Sequence, residues 1–314
     1  MKHKSQFPTL EGRAVLSPMS GVTDVAFRAL CRKYGAALTY TEFVSGTAII
    51  RGNVQSLRMI KTDPIEKPVA VQLFGANVDD VVEAARRMEE TFDIIDVNCG
   101  CPAWKVIKTG AGSELLKKPQ GIASFINKLS SAVNKPVTVK IRIGIDDQSI
   151  NAVEVAKLAE DAGAAAIAIH GRTQKQGYSG QANWDIIKQV KDAVNVPVIG
   201  NGDVFSPETF KMRLDQSGVD YIMIARGAIG NPFIFTQIND FLKDGKYVQG
   251  NRVKQFFEFF ELAKKYKIPY PSIQTHAMNF TKTMKGGAQL REALSRCKTE
   301  EDLIMAFGKT NMGE

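Results

Sequence analysis

Pro136-Val137-Thr138-Val139-Lys140-Ile141-Arg142-Ile143 and Ala164-Ala165-Ala166-Ile167-Ala168-Ile169-His170, with one amphipathic stretch between them, decide the fold. Both runs are short, rich in Val, Ile and Ala, and show little polar alternation until they end. That is the pattern of strands covered on both faces. Residues 150–162 between them have helical spacing, with Ser149 a candidate N-cap and Gly163 placed for a left-handed C-cap. Each strand ends in charged or titratable groups, Lys140 with Arg142 and then His170.

The same unit recurs on both sides. Further strands are expected at 13–16, 37–43, 68–74, 93–98, 196–200 and 220–225, and helices at 24–34, 77–90, 120–133, 184–194 and 207–216. Asn183 and Ser206, the latter followed by Pro207, read as N-caps, and Gly35 and Gly218 follow helices. Eight strands alternating with helices match a (β/α)8 TIM barrel in count and size. No Gly-x-Gly-x-x-Gly follows the first strand, which speaks against an open doubly wound sheet. From Asp244 onward the strand signal stops. Four helices are expected there, at 251–267, 272–285, 288–296 and 299–307, split by Pro269, Pro271 and Gly286-Gly287. The expected organisation is a barrel over 1–243 and a small all-α domain over 244–314.

The chain has 314 residues, 44% hydrophobic and 24% charged, the balance of an ordinary soluble globular protein. No apolar run is long enough to span a bilayer, and residues 1–10 are too polar for a signal peptide or anchor. A cytoplasmic, monomeric protein without membrane contact is expected. The four cysteines are scattered, and Cys99 and Cys101 stand only two apart with three histidines in the whole chain, so no metal site or disulfide framework is expected. The net charge is +8, and residues 245–314 hold twelve basic against seven acidic side chains, Lys309 and Glu314 among them. Such a field suits a polyanionic partner, although charge alone favours the plainer reading of a solvated helical face.

In a barrel all strand ends share one rim, so residues distant in sequence converge there. The expected rim groups are Ser17-Pro18-Met19, Glu42, Gln72, Asn98 with Cys101, Lys140 with Arg142, His170 with Arg172, Asn201-Gly202-Asp203, and Arg226-Gly227. The glycine-bearing ends of strands seven and eight, Gly200 to Asp203 and Ala225 to Gly230, read as a phosphate site. Gln72, Lys140 and His170 suit a flat heterocycle with carbonyls and ring nitrogens. Lys140 also fits an imine-forming nucleophile, and His170 a satisfied core histidine. Cys101, between Gly100 and Pro102 in a loop, reads as a proton donor. Cys31, Cys99 and Cys297 read as packing residues.

These residues resemble the dihydrouridine synthase family. The resemblance rests on Pro18-Met19-Ser20-Gly21-Val22-Thr23-Asp24 with Phe27-Arg28, Val71 to Gly75, Asn98 to Pro102, Val139 to Arg142, His170 to Thr173, Gly200 to Asp203, and Ala225 to Ala228. It implies FMN over the barrel mouth, lined by Pro18, Met19 and Ser20 and contacted at its ring by Gln72 and Lys140. His170, Asn201, Gly202, Asp203, Ala225 and Arg226 would hold the ribityl phosphate. Cys101 matches the family's general acid, and Asn98, Arg142 and Arg172 would contact uracil. NADPH, or alternatively NADH, would reduce FMN; hydride would pass from flavin N5 to C6 of a uridine in tRNA, and Cys101 would protonate C5. The uridine must leave its stack to reach the mouth, and the tail would grip the RNA. This chain carries Ser20 where many members have alanine, and Gln274-Thr275-His276 lacks the basic residue often found before the histidine. The rival readings are a dihydroorotate dehydrogenase-like enzyme acting on a free pyrimidine, a lyase using Lys140, and a non-catalytic RNA-binding module.

Overall fold

A computed structural model describes residues 5–308. Residues 1–4 of the polar start, and Lys309 and Glu314 of the tail, lie outside the described residues. The strands are β1 (Ala14–Leu16), β2 (Thr39–Tyr40), β3 (Val44–Ser45), β4 (Val69–Phe74), β5 (Ile94–Cys99), β6 (Val137–Arg142), β7 (Ala166–His170), β8 (Val198–Asn201) and β9 (Tyr221–Ile224). They run in the order β1-β9-β8-β7-β6-β5-β4-β2, every pairing parallel. Two backbone hydrogen bonds close the wall between β1 and the approach to β2: Leu16 N–H to the Leu38 carbonyl at 2.9 Å, and Ala37 N–H to the Ala14 carbonyl at 2.8 Å. The result is an eight-stranded parallel barrel flanked by helices, as the alternation requires.

The run 37–43, expected as one strand, is broken into β2 and β3, which pair separately with β4. Thr41 causes the break. Its hydroxyl accepts from Gln72 N–H at 3.1 Å, taking a place in the ladder that a backbone carbonyl would hold. Asn183 and Ser206 cap their helices through side-chain oxygens, and Gly163 and Gly218 adopt φ of 104° and 64°. Ser149 does not cap a helix. Its hydroxyl donates to Asp146 Oδ1 at 2.6 Å within a turn, and the helix starts later, at Ala152.

Period-two alternation sorts the barrel wall. Along β5, Ile95, Val97 and Cys99 face the helices and join a shell with Ile122, Phe125 and Val155. The inside holds a separate apolar plug, which includes Val15, Leu38, Tyr40, Ala70, Ile94, Ala168, Ile199 and Met223. Leu10 belongs to the plug, and Phe7 packs on Tyr221 with ring centroids 5.8 Å apart. With its lower layers filled by apolar side chains, the barrel can place polar ones at the top.

The helix Ile234–Asp244 follows β9, and four more come after it, Arg252–Tyr266, Tyr270–Phe280, Gly287–Arg296 and Glu300–Gly308. They pack around Phe256, Phe259, Phe260, Phe280 and Phe307. His276, buried on the second of the four, stacks on Phe27 of the barrel and meets Asp24 through Nε2 at 3.0 Å. Among the described residues, no helix is long and apolar enough to cross a membrane, and no group of His, Cys, Asp and Glu could hold a metal.

Candidate active site

The strand ends open into one cavity of about 470 Å³. Pro18, Met19, Ser20, Gln72, Asn98, Cys101, Lys140, Arg142, His170, Asn201, Gly202, Asp203, Ala225 and Arg226 all line it. Arg172 and the rim residue Glu42 do not.

The floor is ordered by strand register. Gln72, Asp96 and Thr138 are direct partners across β4, β5 and β6, so their inward side chains form one row. Asp96 is fully buried and accepts from the Thr138 hydroxyl and, at 2.6 Å, from Gln72 Nε2. An ionised carboxylate only accepts, so Gln72 must turn its NH2 toward Asp96. Its Oε1 then faces outward and accepts from Asn98 Nδ2 at 2.8 Å. Asn98 Oδ1 is left to accept from the backbone N–H groups of Gly100 (3.1 Å) and Cys101 (2.8 Å). One carboxylate thus sets two amide orientations and the start of the cysteine loop. Burial lifts the Asp96 pKa to about 6, against the pull of Thr138, Gln72 and Lys140.

The loop carrying Cys101 is pinned from both sides. Arg142 Nε donates to the Gly100 carbonyl at 2.9 Å, and Nη1 donates to the carbonyls of Thr173 and Gly177 at 2.7 and 2.9 Å. The Cys101 carbonyl accepts from Ser113 N–H and its hydroxyl at 3.0 and 2.8 Å. Gly112 has φ of 64°, and a Cβ there would stand 2.7 Å from the Cys101 carbonyl oxygen, so glycine is required for the return turn. Burial pushes the half-buried Cys101 thiol up, although Ala103 N–H, Arg142 and Lys140 oppose it. A raised thiol holds its proton at neutral pH, which suits an acid and not a resting nucleophile. Cys99, one residue outside the inward row, is buried among helix-facing side chains.

Positive charge collects on the opposite side. Burial and the neighbouring Arg142 lower Lys140 to about 8, with Asp96 and Cys101 pulling it back up. Its Nζ lies 3.4 Å from Asn201 Oδ1, and Asn201 Nδ2 donates to the Met223 carbonyl at 2.8 Å. Burial, then the charges of Lys140, Arg142, Arg172 and Arg226, hold His170 well below the ordinary histidine range. His170 is therefore neutral, and its ring nitrogens have no hydrogen-bond partner among the described residues. It is not a satisfied core histidine.

Arg172 is 2% exposed, and its donors are spent behind the cavity. They reach Asp203 through Nη1 and Nη2 at 2.9 and 2.7 Å, and the carbonyls of Ser179 and Gly180 at 3.0 and 2.6 Å. A strand-end arginine can serve the wall as well as a ligand, and the expected uracil contact of Arg172 is corrected to a support of Asp203. Asp203 also accepts from Arg226 Nη2 and Ala182 N–H, both at 2.8 Å. Burial alone would raise its pKa, but these donors keep it low. Arg226 lies between the rings of Tyr178 and Phe205, 5.1 and 5.5 Å from their centroids. The glycines here answer to packing as much as to a ligand: a Cβ on Gly227 would meet the Val204 carbonyl at 2.3 Å, and one on Gly202 would meet Ala182 at 2.4 Å.

Sequence reading missed three contributors. Asp96 sits mid-strand among apolar residues, and only the alternation Asp96–Asn98 beside Thr138–Lys140 could have placed it inward. Tyr178 lines the cavity from the loop after β7, with Arg142 5.9 Å from its ring centroid. Glu42, named only as a rim group, accepts from Gly21 N–H and braces the loop Pro18 to Thr23.

Residues 15–311 match the family model described as dihydrouridine synthase (Dus). The chain is 39% identical over 303 residues to a probable tRNA-dihydrouridine synthase 1 of Synechocystis sp., covering 94% of this chain and 85% of that one. It is 42% identical over 241 residues to tRNA-dihydrouridine synthase B of Pseudomonas aeruginosa, covering 76% and 73%. The solved structure of TcOYE with pHBA superposes with a TM-score of 0.58 over 84% of this chain and 97% of that one, at 13% identity, a likeness of fold.

Proposed function

The chain belongs to the dihydrouridine synthase family, and from this we propose that it reduces uridine in tRNA to 5,6-dihydrouridine, with FMN in the cavity and NADPH as reductant. The observation that carries the reading is the meeting of a protonated thiol, Cys101, and the partly buried cation of Lys140 in one cavity. We further propose residues 1–243 as the catalytic barrel, 244–314 as the RNA-gripping domain, and the cytoplasm as the site of action.

The cavity fits such a cofactor in size and charge. Its volume lies in the range of ligand sites, and Lys140, Arg142 and Arg226 outnumber Asp203, which suits a phosphate-bearing group. Gly227 makes no hydrogen bond among the described residues, so its N–H is a donor without an acceptor. Pro18, Met19 and Ser20 would line the ring, and Ala225 would stand on the phosphate side. Gln72 and Lys140 would meet the ring's polar edge, and Asn201, Gly202, Asp203, Arg226 and the neutral His170 would hold the phosphate side.

The chemistry supplied by bound FMN is hydride delivery from NADPH to C6 of the uracil. Cys101 Sγ–H gives its proton to C5 and is reprotonated from water. Asn98 fixes the backbone of Cys101 and offers an amide to the uracil edge; Arg142 holds the same loop through the Gly100 carbonyl. Lys140 stays mainly charged at pH 7 and stabilises negative charge in the cavity. Its lowered pKa would equally suit an imine-forming lysine, but that chemistry has no use for the thiol acid.

Purified protein with NADPH and unmodified tRNA should form dihydrouridine. Cys101→Ala should lower that rate by about 10²- to 10⁴-fold while flavin and tRNA binding persist. Turnover of orotate with no turnover of tRNA would overturn the reading in favour of a free-pyrimidine enzyme.

A further inference from the structure

Trp104 is 71% exposed, in the one-turn helix Trp104–Ile107 three residues past Cys101. Its ring makes no aromatic, cation or hydrogen-bond contact among the described residues. The indole thus presents a flat, unpartnered aromatic face beside the active site, a surface on which a planar group can stack. The helix follows directly on Ala103, which lines the cavity.

The surroundings fit a nucleic acid. Lys105, Lys108 and Lys118 are exposed and form no ion pair among the described residues. Lys117 is bound to Glu114 at 2.7 Å, so the stretch 104–118 carries three uncompensated cations, two of them, Lys105 and Lys108, on the same turn as the open indole. An aromatic face flanked by free lysines is the combination that binds single-stranded nucleic acid: the face stacks a base, and the cations follow the phosphates. The base in the cavity must be extruded, and extrusion leaves its neighbours without a stacking partner. We propose that Trp104 stacks on a base adjacent to the target uridine and that Lys105 and Lys108 hold the phosphates beside it. The segment 104–108 is thus a specificity-determining surface for the RNA context of the reaction, an inference that rests on the function proposed above.

The chain has two tryptophans, and the other, Trp184, is 2% exposed. This permits a test independent of turnover. In wild-type protein, tRNA should quench a solvent-exposed tryptophan emission, and Trp104→Phe should remove that change while retaining most of the affinity. Trp104→Ala should weaken tRNA binding by about ten- to a hundredfold with an unchanged salt slope. Lys105→Ala and Lys108→Ala should each lower the slope of log affinity against log salt by about one. Flavin content and NADPH oxidation without RNA should match wild type in all four variants. Wild-type affinity and context preference in an otherwise active Trp104→Ala protein would overturn the inference, as would a shift in oligomeric state with RNA binding intact, which would make the indole a protein contact. If wild-type protein reduces no tRNA, the function proposed above fails instead.

Discussion

Asn98 Nδ2 donates to Gln72 Oε1 across 2.8 Å, and this contact joins the barrel floor to the loop that carries Cys101. Because Gln72 is turned by Asp96, a buried carboxylate with no substrate contact governs the placement of the acid. Asp96→Asn gives Gln72 an NH2 to face, favours a flipped amide, and deprives Asn98 of its acceptor. The rate of uridine reduction should fall by about ten- to a hundredfold with little change in KM for tRNA. Single-turnover kinetics with unchanged flavin content would check it.

Asp96 also shapes stability. Its folded-state pKa of about 6 lies above the ordinary 3.8, so between those values the folded chain keeps a proton that the unfolded chain has released. Stability therefore falls as pH rises from about 4 to 6. Chemical denaturation across that range should show this slope in wild type and lose it in Asp96→Asn.

Lys140 titrates near 8, so its charge is present below that pH and vanishes above it. Uridine reduction should decline as pH rises through about 8. Lys140→Met should be slow at every pH and lack this limb. A pH profile under saturating NADPH and tRNA would separate the two.

Arg172 and Arg226 share Asp203 but differ in exposure, 2% against 41% for the side chains. Arg172→Ala takes from Asp203 its buried ion-pair partner and should cost about 3 kcal/mol of stability, besides releasing flavin. Arg226→Ala should keep the fold and weaken flavin binding by about tenfold or more. Thermal melts beside flavin titration would show the split.

His276 ties the helical tail to the barrel through Asp24 and Phe27, and Phe259 of the tail packs on the same ring. His276→Ala should destabilise the protein by about 2–4 kcal/mol. Limited proteolysis should then cut the tail faster than the barrel.

Much of this architecture is readable from local pattern. Strands covered on both faces announce themselves by Val, Ile and Ala runs, and a barrel brings their ends together whatever the loops between do. That is why Cys101, Lys140 and Arg226 could be placed on one rim. What could not be read depends on register and on side chains acting for the backbone. Thr41 splits a strand because its hydroxyl enters the ladder. Asp96 commands the floor because β4, β5 and β6 align it with Gln72 and Thr138. Arg172 lies behind the wall, and charge type alone does not tell a supporting arginine from a binding one. Asp146 takes the Ser149 hydroxyl, a competition that no capping rule foresees.

The join at β1 has a mechanical consequence. Strands β4 to β9 have four to six residues, but β1 has three and β2 two, and among the described residues two backbone hydrogen bonds fasten β1 to the approach to β2. This weakest panel leads straight into the loop from Pro18 to Thr23, at the edge of the mouth. Amides on either side of it should exchange with solvent ahead of those in β5 to β7. A ligand resting on that loop should therefore slow amide exchange along this seam more than in β5 to β7.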